Sequence, residues 1–406
     1  MSLEQLIKNV SLKLHLSDNE AFDKLNIIAD VVKDEIFVKQ RLEHYGFGSE
    51  IIEPILTELL KENLISKYFS YECQKLESIE YAVSLNEQCT FCGEILKDFQ
   101  NNHIIRETYK LNSNFLELVK KAKDNQLKQY LFDDFYINLT KLKENSHRII
   151  PFVGAGVSVP FKLPNWGQLL QGLEKGLIDE NKIQYNKLIE RGDYLRALTF
   201  LKRYSGYYKK ESLIKKEIKD IIKKSYQKPP NNNLHNINDL LKLNSQFILT
   251  TNYDNIISDY LRNYLDDLVL PKNLQAIDDV QDLIDENQPR AIHLHGNVDE
   301  INSMIVTKED YDELYGSEKI KHVLTSIMGN KKLLFIGFSF QDDYFKDLYE
   351  KITNHIGGGH FILVPNLHPF DAEELFDKNL IPIGIKVKKD KSDFVIAIRT
   401  ILEQLY

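Results

Sequence analysis

Cysteine is scarce in this 406-residue sequence: Cys73, Cys89 and Cys92 are the full set, and none follows position 92. An odd, small number of thiols excludes a disulfide scaffold and fits a reducing compartment. Long apolar runs are missing as well. No stretch approaches the roughly 20 residues that a membrane-crossing helix needs, so no membrane partner is expected. Met1-Ser2-Leu3-Glu4-Gln5 shows no basic region leading into an apolar run. No secretory signal is therefore expected, and the chain reads as cytoplasmic. Positive charge is not in excess either: Lys+Arg is 52 against Asp+Glu 60, a formal net charge of -8. That balance excludes a surface built mainly to coat nucleic acid and leaves room only for a local basic patch. Internal repeats and low-complexity segments are also absent.

What is present is the material of a globular protein. Hydrophobic residues make up 43% of the chain and charged residues 28%, and 21 Tyr with 21 Phe provide aromatic area for substantial cores. A chain of this length exceeds what one hydrophobic core usually holds, so two domains are expected.

Residues 1–140 differ in pattern from the rest. Helical spacing runs from Val38 through Leu42 to Tyr45-Gly46-Phe47, breaks at the glycine, and resumes over Ile51–Leu60. Leu64–Cys73 then alternates like a strand. Helix, turn, helix, strand is the order of a winged-helix module, a smaller and mostly helical N-terminal domain. Such a module takes either a nucleic-acid or a protein partner, and fold does not decide between them. Cys89-Thr90-Phe91-Cys92-Gly93 is a Cys-x-x-Cys knuckle, with Cys73 upstream and His103 downstream. A structural zinc takes four such ligands, and Cys73, Cys89, Cys92 and His103 supply that number. The first knuckle lacks its second cysteine, because Gln74-Lys75-Leu76 follows Cys73, so a ribbon that has lost its metal fits equally well.

From residue 141 to 406 short apolar runs alternate with helical stretches. The runs are Ile149–Val153, Phe247–Thr250, Ala291–Leu294, Leu333–Ile336, Phe361–Val364 and Ile383–Val387. Alternation of this kind predicts a Rossmann-like, doubly wound α/β domain whose parallel sheet is covered on both faces. The interval of about 165–245 is too long for a simple crossover and reads as a helical insertion roofing the sheet. Lys228-Pro229-Pro230-Asn231-Asn232-Asn233 is a loop signal within it.

Polar motifs stand at the ends of four of these runs, the edge where doubly wound folds bind ligands. Gly154-Ala155-Gly156-Val157-Ser158 lets backbone approach a pyrophosphate at the start of a helix, although a tight strand–helix turn explains it about as well. In Thr250-Thr251-Asn252-Tyr253-Asp254, Asn252 both donates and accepts and Asp254 accepts only, as orienting a ribose and an amide requires. The alternative is a pair of helix caps. In Ile292-His293-Leu294-His295-Gly296, His295 sits next to a glycine and suits a general base near neutral pH. His293 reads as a satisfied structural residue. Gly337-Phe338-Ser339 adds a small residue and a hydroxyl, or an ordinary helix start.

Taken in order, Gly154–Ser158, Leu163-Pro164-Asn165-Trp166, Thr250–Asp254, Leu294-His295-Gly296 and Gly337-Phe338-Ser339 resemble the sirtuin series over about residues 145–390. The departures have a direction. Without a cysteine after Cys92, the four-cysteine zinc module of protein deacylases is absent. Pro164-Asn165-Trp166-Gly167 stands where the deacylases have Pro-Asp-Phe-Arg, and Thr-Thr-Asn-Tyr-Asp stands for Gln-Asn-Ile-Asp. Each change is similar to the bacterial defence-associated sirtuins of the Thoeris effector type.

That resemblance implies an NAD glycohydrolase that releases nicotinamide and depletes NAD on activation in antiphage defence. The alternatives are a non-catalytic module sensing NAD or ADP-ribose and an NAD-dependent protein deacylase. It further implies that NAD is the substrate, with its pyrophosphate on Gly154, Ala155, Gly156 and Ser158 and on the dipole of the following helix. Gly337 and Ser339 would take the adenosine side, Thr251 would line the cofactor site, and Trp166 would lie in a flap above it or pack in the roof. Asn252 would orient the ribose and the attacking water, His295 would act as base, and Asp254 would hold the carboxamide or stabilise the cation. Homo-oligomers, a partner ATPase and a phage-derived trigger are implied on the same footing.

Overall fold

The structure is a computed structural model that describes residues 2–32, 35–43, 45, 47–74, 76–98, 103–286, 288–338, 349–350, 353, 358–388 and 391–406. The chain divides into two compact units, Met1–Gln126 and Leu127–Tyr406.

The first unit opens with helices Leu3–Leu14 and Asp18–Val32. Ser2 caps the first helix by accepting from the Gln5 N–H, and Leu3, Leu6 and Val10 bury one helical stripe. Helices Lys39–Glu43 and Ser49–Lys61 follow, the second burying Ile52, Ile55, Leu56 and Leu59. The Gly46 turn expected between them lies outside the described residues. Strands β1 (Ile36–Phe37), β2 (Ile65–Cys73), β3 (Leu76–Ala82) and β4 (His103–Leu111) form an antiparallel sheet in the order β1-β4-β2-β3. Helices and sheet enclose a core that includes Leu6, Leu25, Ile28, Ile55, Leu59 and Phe115.

The second unit is a Rossmann-like domain. Its strands are β5 (Ile149–Val153), β6 (Phe247–Thr250), β7 (Lys272–Asn273), β8 (Arg290–His293), β9 (Lys332–Ile336), β10 (His360–Pro365) and β11 (Leu380–Ile385). Among the described residues they form a seven-stranded sheet in the order β11-β10-β9-β5-β6-β8-β7, and every pairing is parallel. β5 and β6 are buried along their whole length, as apolar runs in a two-faced parallel sheet must be. Phe152 and Phe335 are fully buried side by side, ring centres 4.9 Å apart. Truncating either to alanine costs roughly 3–5 kcal/mol.

Topology fixes where a ligand can enter. The chain leaves β5 toward β6 and β8, then returns to the other side of β5 for β9, β10 and β11. The direction therefore reverses at β5, and the crevice above its C-terminal end is the switch point. Register brings the strand ends level, because Val153 pairs with both Thr250 and Ile336, and Thr250 pairs with His293.

The long interval after β5 is helical, with helices Trp166–Gln171, Asp179–Glu190, Tyr194–Tyr204, Glu211–Ser225 and Ile237–Leu241. Among the described residues no helix is long and apolar enough to cross a membrane.

Candidate active site

The residues just beyond β5, β6, β8 and β9 meet at one cavity of about 570 Å³. Ala155, Gly156, Ser158, Thr251, Asn252, Asp254, His295 and Gly337 line it from the sheet side, and Trp166 from the roof. Gly154 is buried beneath this lining. Ser339 lies outside the described residues. The Cys73, Cys89, Cys92 and His103 group belongs to the other unit.

The floor is made of glycine backbone. The Gly154 N–H donates to the Ile336 carbonyl and the Gly156 N–H to the Gly337 carbonyl, both at 2.9 Å. A β-carbon on Gly156 would fall 2.8 Å from Gly337 Cα, and one on Gly337 would fall 2.8 Å from the Val157 nitrogen. Gly337 also has φ +79°, a left-handed conformation that side-chain-bearing residues adopt only with strain. Two backbone segments thus touch without side chains between them, leaving open backbone facing the cavity. This is the kind of surface a pyrophosphate lies against.

One expectation needs correction here. The glycine turn does not open an α-helix: Ala155–Phe161 is a 3-10 segment ended by Lys162 in the left-handed region. Pro160 lies within it, and proline lacks the N–H and clashes with the carbonyl an α-helical turn would present. A long helix dipole therefore does not point at the turn.

Asn252 joins the first two motifs. Its Nδ2 donates to the Gly154 carbonyl at 3.1 Å and to Ser158 Oγ at 3.0 Å. Ser158 Oγ in turn donates to Asp254 Oδ2 at 2.9 Å. A carbonyl only accepts, so this network fixes which way the Asn252 amide faces. Its Oδ1 has no hydrogen-bond partner among the described residues. Thr250 holds the bend by donating to the Val153 carbonyl at 2.9 Å while accepting from the Asn252 N–H at 3.0 Å. Asp254 Oδ1 accepts from the Ile256 N–H at 3.2 Å, at the start of helix Ile256–Leu265. Desolvation pushes the Asp254 carboxyl up to about 6, against the pull of the Ser158 hydroxyl and backbone amides. It therefore serves as cap and as cavity wall at once.

The two histidines have different settings. His293 is fully buried, its Nδ1 lies 2.9 Å from the Asn252 carbonyl, and burial lowers its pKa to about 4. It stays neutral and braces the Asn252 loop. His295 is buried at the cavity wall between two tyrosines. Its Nε2 lies 2.8 Å from the Tyr315 hydroxyl and its Nδ1 3.1 Å from the Tyr311 hydroxyl. Both tyrosines come from one face of helix Lys308–Gly316, one turn apart. Gly296 has φ +75°, and a β-carbon there would meet the Ser303 carbonyl at 2.1 Å, so the turn after His295 requires glycine.

The roof begins at Asn165, which caps helix Trp166–Gln171 in a capping box with Gln168. Trp166 is half-buried, with its ring 5.8 Å from that of Tyr253, and Tyr253 donates its hydroxyl to the Ile305 carbonyl. Four residues of the site escape sequence reasoning. Arg191 and Tyr194 come from the insertion, which has no motif of its own. Tyr311 and Tyr315 show only as aromatic residues at helical spacing, the common mark of core packing.

A Rossmann-like sheet with ligand chemistry gathered over its switch point is the class of protein that fold and site define. Residues 246–383 match the SIR2-like domain family. It is also similar to a protein named NAD(+) hydrolase ThsA from Enterococcus faecium, 24% identical over 199 residues. That alignment covers 47% of this chain and spans 37% of the relative's length.

Proposed function

We propose that the C-terminal unit hydrolyses NAD at the nicotinamide–ribose bond, releasing nicotinamide and ADP-ribose. The single observation that carries this reading is the Asn252–Ser158–Asp254 network set beside His295 around one cavity. The similarity to a protein named as an NAD(+) hydrolase supports it. NAD enters as substrate, with its pyrophosphate against the backbone of Gly154, Ala155, Gly156 and Ser158 and its adenosine side toward Gly337. Thr251 completes that contact, and Trp166 lies over the bound molecule.

Breaking the C1′–N bond sends the electron pair to nicotinamide and leaves an oxocarbenium-like ribose. The chain's task is to stabilise that positive charge and deliver water. Asp254 supplies the negative charge when ionised, and Ser158 holds the carboxylate in place. The free Oδ1 of Asn252 accepts from the attacking water and aims it at C1′. The water's proton goes to His295, whose nitrogens both hold tyrosine hydroxyls, so one hydroxyl gives way or relays the proton. The balance is one NAD and one water in, and nicotinamide, ADP-ribose and one proton out.

Unregulated NAD destruction would harm the host cell, so activity is held until a trigger arrives, in keeping with antiphage depletion of NAD. The N-terminal unit is the docking or sensing part. Helix Ser49–Lys61 exposes Glu50, Glu53 and Thr57 and carries one cation of its own, Lys61, while Lys39 is paired to Glu53, which suits a protein partner better than phosphates. Cytoplasmic placement, a homo-oligomer and a partner ATPase belong to the same reading.

A second reading has one observation in its favour. Both His295 nitrogens are engaged, which suits a module that senses NAD or ADP-ribose without turning it over. Nicotinamide release from NAD by the purified chain, with and without an acyl-lysine peptide, separates the readings. Release without peptide supports the hydrolase. Release only with peptide makes it a deacylase, and tight NAD binding without release under any trigger makes it a sensor.

A further inference from the structure

A second group of chemistry-bearing side chains lies wholly in the N-terminal unit and has no part in NAD chemistry. Cys73 ends β2 and His103 begins β4, and the two are paired across the sheet. The β2–β3 register shifts between Glu72 and Cys73, a bulge of the kind that re-aims a side chain.

Facing them is the knuckle. The Cys89 N–H donates to the Glu94 carbonyl at 2.8 Å, and the Gly93 N–H donates back to the Cys89 carbonyl at 2.9 Å. The Phe91 N–H points at Cys89 Sγ, 3.4 Å away. Gly93 has φ +77°, which closes this turn and favours glycine. The Tyr71 hydroxyl accepts from the Thr90 N–H at 3.3 Å and so ties the knuckle to β2.

The ligand atoms of Cys73, Cys89, Cys92 and His103 all lie within 4.8 Å of one another, and Cys92 Sγ is 3.4 Å from His103 Nε2. A tetrahedral zinc with Zn–S of about 2.3 Å and Zn–N of about 2.0–2.1 Å sets its ligand atoms roughly 3.5–3.8 Å apart. All three cysteines are free thiols, and Cys73, Cys89 and His103 are buried.

We propose that Cys73, Cys89, Cys92 and His103 bind one structural Zn2+ in a closed Cys3His site. Three thiolates and an imidazole are the soft and borderline donors that zinc takes in a tetrahedral structural site, with no position left for substrate. Binding expels the thiol protons, one for each cysteine.

The local architecture needs such a staple. Among the described residues 83–98 there is neither helix nor strand, only the isolated bridge between Gln88 and Ile95. The core beneath this segment is five buried side chains: Tyr71, Cys73, Ala82, Cys89 and Leu96. A cluster that small does not offset the ordering entropy of a sixteen-residue segment of loop. The metal joins β2, β4 and the knuckle at one point.

The test is metal analysis of the full-length chain, purified under reducing conditions without added chelator. About one zinc per chain is expected for a single closed site, and titration should show all three thiols protected until a strong chelator removes the metal. Reconstitution with Co2+ should give the intense visible spectrum of tetrahedral thiolate coordination. His103→Cys should keep the metal as a four-thiolate site, whereas Cys89→Ser should lose it. Wild-type protein that carries no zinc, takes up Co2+ without a tetrahedral spectrum, or holds a Cys89–Cys92 disulfide overturns the proposal. None of these readings depends on NAD turnover.

Discussion

Asp254 is where pH should act on the candidate site. Burial holds its pKa near 6 rather than 3.8, so the ionised form that the proposed reaction uses is lost as pH falls through that value. The acid limb of kcat/KM should therefore have its midpoint near about 6, and Asp254→Asn should remove the limb along with most of the rate. Stability moves the other way. Between roughly pH 4 and 6 the folded chain keeps a proton that the unfolded chain has released, so this group's contribution weakens as pH rises through that window. A pH profile of the Asp254→Asn variant checks both.

At His295, Tyr315→Phe removes the partner of Nε2 and should change the pH dependence of turnover more than KM. An unaltered profile would show that the hydroxyl neither positions the imidazole nor relays a proton. Gly337→Ala forces a side chain into a left-handed backbone and against Val157. It should cost roughly 1–3 kcal/mol of stability, read as a lowered midpoint of thermal unfolding. Gly156, Gly337, Asn252, Asp254 and His295 stood out in the sequence as small or polar residues directly after apolar runs, and the structure brings them to one cavity, although turns and caps use such residues too. The tyrosines did not, since an aromatic pair one helical turn apart looks the same in any core.

Between elements, the contact that matters most joins roof to site. Lys215, buried on helix Glu211–Ser225, lies 3.1 Å from Asp310 in the first turn of helix Lys308–Gly316, the helix that carries Tyr311 and Tyr315. Desolvation acts to raise the Asp310 carboxyl, yet the Thr307 and Val306 amides and Lys215 hold it below the usual carboxylate range. That contribution to stability is present above the unfolded carboxylate pKa and is lost as pH falls below it. Lys215→Met leaves a carboxylate without its charge partner and should destabilise the unit by roughly 1–3 kcal/mol. It should also lower turnover through His295, and denaturant unfolding alongside nicotinamide release would show both effects.

The strands of the sheet were readable to within two or three residues, because buried parallel strands are short continuous apolar runs. β7, two residues at the sheet edge, has no such run and was not. The 3-10 turn after Gly154 was misread as a helix start because the glycine pattern speaks louder than Pro160, six residues later.

For the whole molecule, sheet order decides more than any motif does. Four separate strand ends form one cavity only because the chain reverses direction at β5. No single motif carries that information, and alternation along the chain predicts a parallel sheet without its strand order. The N-terminal unit was less legible, since its Cys/His cluster depends on pairing Cys73 with His103 across thirty residues. With a net charge of -8, the whole chain should show no salt-resistant binding to duplex DNA at about 150 mM ionic strength, and a filter-binding titration checks this.

The most direct test of the central claim is nicotinamide release from NAD by the full-length chain beside Asn252→Ala and His295→Ala. The account predicts turnover in the wild type, with nicotinamide and ADP-ribose in equal amounts, and a loss of about 100-fold or more in each variant. Full turnover in Asn252→Ala, or NAD breakdown that yields no nicotinamide, would contradict it.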